Sequence, residues 1–209
     1  MGKIKSFTTD QSCQDYINNL YKDVSGYIGY ELNEKERAQK QKIFLTYGEI
    51  LYPGINAMIT NLDINDNDVF YDLGSGIGKV ALQVFLKTSV KKACGIEASD
   101  ARHRCAEKIY KSVKKEYSEL FVKERELESI QGNFLLHPIQ EATIIFCDSV
   151  CFSEEVLKDI GAILNDCSKL KHVISSKPIP LEKLSIAKTL ELECSWQVHT
   201  RCYLYSSGT

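Results

Sequence analysis

Short apolar runs alternate with amphipathic stretches along most of this chain, a pattern that predicts strands separated by helices. We predict strands at residues 69–73, 93–97, 128–132, 143–148, 172–176, 190–196 and 200–205, and helices at 79–87, 100–120 and 153–166. The helices fall among the first five strands, and such alternation favours a parallel sheet with right-handed crossovers. Only residues 197–199 separate the last two strands, so these should form an antiparallel hairpin.

The first part of the chain has a helical pattern instead. Apolar residues at helical spacing predict a helix from residue 10 to about residue 24, and the capping-box pair Asn33 and Glu36 predicts another at 34–44. We therefore expect a helical segment, residues 1–45, packed on a main domain of residues 46–209. The predicted fold class is α/β: a seven-stranded, mostly parallel, doubly wound (Rossmann-like) sheet with a C-terminal antiparallel hairpin and preceding helices.

Composition limits the classes of partner. The chain has 209 residues, the size of one α/β domain, and its 26 basic and 28 acidic side chains nearly cancel. No overall charge attracts nucleic acid or an anionic membrane. Because the sequence shows no charged-then-apolar leader and no apolar run long enough to cross a bilayer, we expect an intracellular protein of the cytoplasm or nucleus.

The eight cysteines indicate buried thiols rather than a metal or redox site. Cys94, Cys147, Cys194 and Cys202 stand inside apolar runs, and no C-x-x-C pair occurs. We expect reduced, small hydrophobic core residues and no metal site. Cys151 follows Cys147 by four residues, a spacing that fits neither a zinc site nor a redox pair, and a reactive thiol there is the alternative.

The most specific chemistry lies where the first of these strands meets its helix. Asp72 precedes three glycines, Gly74, Gly76 and Gly78, spaced G-x-G-x-G rather than the G-x-G-x-x-G that is typical of NAD-binding turns. Glycines let the backbone turn sharply and approach a ligand without a Cβ in the way. The unpaired N–H groups at the start of the following helix can hold a phosphate or a carboxylate.

Glu97 is the second candidate for ligand binding. It ends the next strand about twenty residues after the glycines, where a carboxylate can accept hydrogen bonds from both hydroxyls of a ribose. Together, the turn and the glutamate indicate an adenosine-bearing ligand with a free ribose. The alternative is an ordinary β-α turn without a ligand, and the glycine spacing disfavours a hydride-transfer enzyme.

The predicted strands and hairpin resemble the class I methyltransferase architecture, in which S-adenosylmethionine lies over the carboxyl ends of the strands. Seven segments also occur in the order seen in the disruptor-of-telomeric-silencing (Dot-one) family of histone lysine methyltransferases. They are residues 46–49 (TYGE), 72–78 (DLGSGIG), 95–97 (GIE), 132–135 (GNFL), 144–152 (IIFCDSVCF), 175–178 (SSKP) and 195–196 (SW). The resemblance covers roughly residues 40 to 205 and is more specific than any one of these motifs.

The resemblance implies a binding site for S-adenosylmethionine, with S-adenosylhomocysteine as the product. The glycine turn would hold the methionine part, Glu97 the ribose, and Asn133 and Phe134 the adenine. The implied cofactor-binding residues are Tyr47, Glu49, Asp72, Gly74, Ser75, Gly76, Gly78, Glu97, Ala98, Asn133 and Phe134. Lys79 replaces a glutamine usual in the family and brings a positive charge near the methionine end.

The substrate side departs from the family pattern. Where the family has Asn-Asn-Phe-Ala-Phe, this chain has residues 147–152 (CDSVCF), so Asp148 would lie nearest the reaction and is the predicted catalytic residue. Alternatively, its side chain points to the cofactor or to a backbone amide. Cys202 stands where the family places a tyrosine beside the substrate channel, with Tyr203 next to it. The implied channel residues are Asp148, Ser149, Trp196, Cys202 and Tyr203.

Three functional hypotheses follow. The ordered motifs favour a protein lysine N-methyltransferase of the Dot-one type, acting on histone H3 or the nucleosome. The near-neutral charge and the altered segment around Asp148 favour a methyltransferase for a non-histone protein or a small molecule. A catalytically silent S-adenosylmethionine-binding module is the third, for which Lys79 and Asp148 are the hints. Basic residues are mostly interleaved with acids and give no strong nucleic-acid signal.

Overall fold

A seven-stranded sheet with helices on both faces forms the centre of the computed structural model, which describes residues 9–28, 46–122 and 124–207. The strands are β1 (Val69–Leu73), β2 (Lys92–Glu97), β3 (Glu126–Gln131), β4 (Ile144–Cys147), β5 (His172–Ser175), β6 (Ser185–Leu192) and β7 (Thr200–Ser206). The helices are α1 (Asp10–Tyr21), α2 (Tyr52–Ile59), α3 (Lys79–Lys87), α4 (Asp100–Glu116) and α5 (Glu154–Asn165). Short 3-10 turns occupy Ser118–Phe121 and Phe134–Leu136.

The strand order across the sheet is β3-β2-β1-β4-β5-β7-β6. Strands β1 to β5 pair in parallel, whereas β7 runs antiparallel to both of its neighbours. This topology confirms the predicted mostly parallel sheet with its C-terminal antiparallel hairpin. The chain adds β2 and β3 on one side of β1 and then returns to place β4 on the other, so the order reverses between β1 and β4. Ligands of open α/β sheets bind at such a point, beyond the carboxyl ends of the strands.

Two apolar clusters, one on each face of the sheet, hold the helices in place. Every residue of β1 is buried, as expected for a central strand that is covered on both faces. Phe70 packs with side chains of α1 to α4, whereas Tyr71 and Leu73 pack with side chains of α5. The alternation along the strand therefore divides the core into two layers.

Strand β6 lies earlier than predicted, at Ser185–Leu192 instead of 190–196. This strand forms the edge of the sheet, and its first half is exposed and partly polar. Only the second half, with the buried Leu190 and Leu192, has the apolar pattern from which a strand is predicted. Beyond that half the chain leaves the sheet, and Cys194 forms an isolated bridge with Ile50. The connection between the hairpin strands is therefore residues 193–199 rather than 197–199.

The helix predictions differ from the structure mainly at helix ends. Helix α3 has the predicted bounds, and α5 is one residue shorter at each end. Helices α1 and α4 end at Tyr21 and Glu116 rather than at residues 24 and 120, and α4 passes into a 3-10 turn. Helix α2 is not predicted by the pattern. The predicted helix at 34–44 lies outside the described residues, so the division of the chain at residue 45 stays a prediction.

Helix α1 packs against α3 and reaches the glycine turn. Its buried residues are Cys13, Ile17 and Tyr21, and the hydroxyl of Tyr21 donates to the carbonyl oxygen of Ile77 at 3.1 Å. Within the described ranges, no helix is both long and apolar enough to span a membrane.

The thiols are free, and Cys94, Cys147, Cys194 and Cys202 are buried, as predicted. Cys151 is exposed.

Candidate functional site

The glycine turn after β1 adopts a backbone that other residues avoid. Gly74, Gly76 and Gly78 have φ values of 86°, 55° and 84°, all in the left-handed region. A Cβ on Gly76 would lie 2.7 Å from the Tyr47 ring, and one on Gly78 would lie 2.4 Å from the Tyr110 hydroxyl oxygen. Conformation and packing therefore both require glycine at Gly76 and Gly78.

A cleft of about 290 Å³ opens beside this turn, over the carboxyl ends of the parallel strands. Its walls come from the loops after β1 to β4, from the first turns of α4 and α5, and from residues 46–48 and Trp196. The lining residues are Thr46, Tyr47, Gly48, Gly74, Gly76, Glu97, Ala98, Arg102, Asn133, Phe134, Leu135, Asp148, Val150, Cys151, Phe152, Val156 and Trp196.

Most of the predicted site residues meet at this cleft, although their proposed roles stay predictions. Those on its wall are Tyr47, Gly74, Gly76, Glu97, Ala98, Asn133, Phe134, Asp148 and Trp196. The remaining ones, Glu49, Asp72, Ser75, Gly78, Ser149, Cys202 and Tyr203, lie outside the set of lining residues. Ser149 is fully buried, and its hydroxyl meets Ser175 Oγ at 2.7 Å and accepts from the Lys177 amide at 2.8 Å, so its contacts support the loops instead.

Glu97 joins the end of β2 to the glycine turn. Its Oε2 accepts from the Gly76 amide at 2.7 Å, and its Oε1 accepts from the Ser99 amide at 2.8 Å. Burial raises the pKa of this carboxyl, while hydrogen bonds from the backbone and the nearby charge of Arg102 act in the opposite direction. The carboxylate is therefore fixed at the cleft by two backbone donors.

Asp72 presents a buried carboxylate with an incomplete set of partners. It is only 2% exposed, and its Oδ2 has no hydrogen-bond partner among the described residues. Burial raises the pKa of Asp72 well above its usual range, and the negative charges of Asp148 and Glu97 add to the effect. Because an unsatisfied buried carboxylate is costly, this end of the site is suited to a cationic or hydrogen-bond-donating group.

Lys79 forms an ion pair with Glu49. Its Nζ lies 2.7 Å from Glu49 Oε2, and the hydroxyl of Tyr47 donates to Glu49 Oε1 at 2.5 Å. The positive charge expected near one end of the site is therefore paired with a carboxylate. Its field at the cleft is weakened accordingly.

An aromatic pair forms another wall of the cleft. The Phe134 and Phe152 rings lie 5.6 Å apart with an interplanar angle of 33°, and Phe152 Cζ would be 3.7 Å from a Cβ on Gly74. Asn133 begins the 3-10 turn beside them, and its Oδ1 accepts from the Leu135 amide at 3.0 Å. This arrangement offers a flat apolar face and an amide, which suits a planar heteroaromatic group.

Asp148 extends the cleft toward the hairpin. Its Oδ1 accepts a 2.7 Å hydrogen bond from Ser176 Oγ, and Cys202 Sγ lies 3.7 Å from that hydroxyl. Burial raises the pKa of Asp148, while hydrogen bonds from Ser176 and the Val150 amide partly offset the shift. Burial also raises the pKa of Cys202 to about 12, so its thiol is neutral at physiological pH.

Several wall residues are not predicted from the sequence. Arg102 stands in the first turn of α4 without any motif around it, and only its burial to 3% exposure distinguishes it from Arg104, the other arginine of that helix. Phe152 and Cys151 belong to the recognised segment 144–152, but no pattern within that segment indicates which side chains face the cleft. Thr46 likewise belongs to a recognised segment.

Comparison with known families and curated proteins gives a consistent result. The family model described as "Histone methylation protein DOT1" matches residues 33–203. A Caenorhabditis elegans protein named "Histone-lysine N-methyltransferase, H3 lysine-79 specific" is 31% identical over 147 residues, which is 68% of this chain and 16% of that protein. A Drosophila melanogaster protein of the same name is 33% identical over 139 residues, or 63% of this chain and 7% of that protein. The chain therefore spans a small part of these relatives.

Solved structures share the fold at lower identity. An RNA methyltransferase from Salinibacter ruber, solved with S-adenosyl-L-homocysteine, has a TM-score of 0.53 and 21% identity, covering 76% of this chain and 92% of that one. TrmK of M. capricolum, solved with S-adenosyl-homocysteine, has a TM-score of 0.52 and 16% identity, covering 76% of this chain and 69% of that one.

Proposed function

The chain belongs to the DOT1 family of histone methylation proteins, and from this premise we propose that it is an S-adenosylmethionine-dependent protein lysine N-methyltransferase. One observation carries the proposal: the family's glycine turn, strand-end glutamate and aromatic wall surround a single cleft. The chemistry of this cleft suits the proposed cofactor.

The residues present fit the cofactor at three places. The carboxylate of Glu97 lies at the end of β2, where it can accept from both ribose hydroxyls. Phe134 and Asn133 offer a ring face and an amide to the adenine. The unpartnered Oδ2 of Asp72, two residues before the first glycine of the turn, can accept a hydrogen bond from the ammonium of the methionine part. A cation there would also favour the ionised form of Asp72. S-adenosylmethionine supplies a methyl group that its sulfonium activates for transfer.

The acceptor lysine sets the second chemical demand. At pH 7 an amine with a pKa near 10.4 is neutral only about once in 2,500 molecules, a deficit of about 4–5 kcal/mol. We propose that Asp148 removes the extra proton from the acceptor lysine, because its half-buried carboxylate lines the cleft and accepts a hydrogen bond from Ser176. The carboxylate attracts the ammonium and accepts a proton from it, which frees the lone pair of the amine nitrogen. This nitrogen would then form its bond to the methyl carbon as the bond from that carbon to the cofactor's sulfur breaks. A carboxyl whose pKa is raised by burial is a better base than an ordinary one.

Histone H3 is the acceptor we propose first. Two relatives that are 31% and 33% identical are named for lysine 79 of this histone. The family model matches residues 33–203, a range that includes the glycine turn, Glu97 and the predicted channel residues. Anchoring of a nucleosome would require further basic surface, which a partner or another chain segment would supply.

Asp148 also favours a second candidate, a methyltransferase for a non-histone protein or a small amine. The family has an amide where this chain has the acid, so the charge that meets the acceptor has changed. A carboxylate selects cationic acceptors in general and specifies neither a histone tail nor a folded nucleosome surface.

A binding experiment tests the cofactor first. We expect calorimetry to detect binding of S-adenosylmethionine and S-adenosylhomocysteine, and no binding of NAD. Glu97→Ala and Asp72→Ala should abolish binding while circular dichroism shows an intact fold. Tight NAD binding without either sulfur ligand would overturn the proposal.

Acceptor identity is tested by incubating the protein and labelled S-adenosylmethionine with nucleosomes, free histones, a cell extract or a metabolite extract. Label on histone H3 in nucleosomes supports the first candidate. Label confined to other proteins or to small molecules supports the second. Cofactor binding without label in any fraction would identify a catalytically silent binding module.

A further inference from the structure

Arg102 is buried to an extent that is unusual for an arginine. It lies in the first turn of α4, is only 3% exposed and lines the cleft. Arginine is almost never fully buried unless its charge and donors are engaged. Its contacts therefore indicate what its burial achieves.

Three separate chain segments meet at this guanidinium. Arg102 Nε donates to the carbonyl oxygen of Gly26 at 2.9 Å, and its Cζ lies 4.7 Å from the centroid of the Tyr47 ring. Gly26 itself lies directly against that ring, because a Cβ there would be 1.7 Å from Tyr47 Cζ. The Tyr27 ring meets Tyr47 edge-on at 5.3 Å. The segment after α1 is therefore held against the cleft wall through Tyr47 and Arg102.

Arg102 also acts electrostatically on Glu97. Its positive charge lowers the pKa of Glu97, which burial otherwise raises, and the Ser99 and Gly76 amides act in the same direction as the arginine. Asp72 of β1 is another charged group near Glu97, and the two carboxylates repel each other. Arg102 therefore favours the ionised form of Glu97, the form that accepts hydrogen bonds from ribose hydroxyls.

We propose that Arg102 is a positioning residue that holds Tyr47 and the segment around Gly26 against the cleft, and thereby couples that segment to cofactor binding. This inference rests on the proposed function for the identity of the cofactor. Lysine cannot replace the arginine fully, because an ammonium keeps the charge but lacks the planar group that stacks on Tyr47 and the Nε donor that reaches Gly26.

The test compares Arg102→Lys and Arg102→Met with the wild-type chain. Arg104→Met is the matched control, because Arg104 lies two positions further on the same helix, is 70% exposed and pairs with Asp100. Hydrogen exchange of residues 25–28 is measured without and with S-adenosylhomocysteine. The affinity of each variant for S-adenosylhomocysteine is measured between about pH 5 and pH 8.

We expect faster exchange of residues 25–28 in both Arg102 variants without ligand, and affinity lower by about tenfold. As the pH falls, affinity should be lost when Glu97 becomes protonated. In Arg102→Met this loss should begin at a higher pH than in wild type, because only this variant removes the charge that keeps Glu97 ionised. The Arg104→Met control should match wild type in both measurements.

Unchanged exchange of residues 25–28 in both variants, or a wild-type pH profile for Arg102→Met, would overturn the inference. If Arg102→Met does not fold, Arg102→Lys still tests the contact with Gly26 through exchange. If the wild-type chain binds no S-adenosylhomocysteine, the proposed function fails, whereas the exchange comparison without ligand still decides whether Arg102 holds the segment.

Discussion

Ser176 donates a 2.7 Å hydrogen bond to Oδ1 of Asp148, so the hydroxyl that follows β5 holds the carboxylate that follows β4 in place. Each residue directly follows one of two neighbouring parallel strands, β4 and β5. Cys202 of β7 approaches the same hydroxyl at 3.7 Å. The hairpin and the cleft are therefore connected through one serine.

Replacing Ser176 should change the titration of Asp148. The serine stabilises the charged carboxylate, so Ser176→Ala should raise the pKa of Asp148 further above its usual range. The acid limb of kcat/KM then moves to higher pH, because the carboxylate is protonated sooner as the pH falls. Carboxyl carbon NMR and the pH-rate profile measure the two effects. Ser112→Ala, on the exposed face of α4, is the control and should change neither.

Asp148→Asn should separate transfer from cofactor binding. The amide can accept a hydrogen bond but neither attracts an ammonium nor takes its proton, so we expect kcat/KM for a lysine acceptor to fall by about tenfold or more. The dissociation constant of S-adenosylhomocysteine should stay within about tenfold of wild type. Steady-state kinetics with calorimetry checks both values. Equal losses in affinity and turnover would place Asp148 at the cofactor instead.

Asp72→Asn should stabilise the fold while weakening the site. The pKa of Asp72 is raised in the folded state, so the folded chain holds this proton to higher pH than the unfolded chain does. Ionisation of Asp72 therefore lowers the free energy of unfolding as the pH rises from the unfolded pKa of about 3.9 through the raised folded value. Without ligand, we expect Tm at pH 8 to rise by about 2–4 °C, and the gain to shrink toward pH 4.

Thermal scans across pH check this prediction, with Asp66→Asn as an exposed control. A lower Tm for Asp72→Asn at every pH would contradict it. Calorimetry on the same variant should show weaker binding of S-adenosylmethionine.

Gly78→Ala should destabilise the protein through the turn itself. The residue has φ of 84°, and the new Cβ would lie 2.4 Å from the Tyr110 hydroxyl oxygen and 2.9 Å from Ala106 Cβ. Backbone strain and overlap together should lower the free energy of unfolding by about 2–4 kcal/mol. Gly132→Ala is the control, since nothing lies within 4 Å of its Cβ, and its effect should be below about 0.5 kcal/mol. Urea denaturation compares the two variants.

The sheet could be predicted because its central strands are covered on both faces and therefore form continuous apolar runs, as in β1. The first half of strand β6 could not be predicted in this way, since at the sheet edge only the second half of the strand contributes to the core. Helix α2 is eight residues long and buries Tyr52, Gly54, Ile55 and Met58, so no polar stripe marks it as amphipathic.

The same limit applies to the site. Motifs at the ends of strands identify Glu97 and the glycine turn, because parallel strands bring these ends together. The arginine at position 102 has no motif, and its hydrogen bond reaches Gly26, which is 76 residues away in the sequence. Contacts between such distant segments leave no periodic signal in the chain.

Lys79→Gln should change the preference between cofactor and product. Lys79 now neutralises Glu49 at 2.7 Å, and both side chains are partly shielded, at 27% and 21% exposure. Removing the lysine leaves a carboxylate beside Tyr47, and this added negative charge favours the sulfonium of S-adenosylmethionine over neutral S-adenosylhomocysteine. The pair is close to the surface, so solvent screening limits the change in the ratio of dissociation constants to about two- to fivefold. Calorimetry with both ligands at low and high salt measures this ratio, and salt should reduce the change. Lys87→Gln, which removes the same charge from the far end of α3 where it pairs with Asp10, should leave the ratio unaltered. An equal shift in both variants would mean that overall charge, and not the pairing with Glu49, sets the preference.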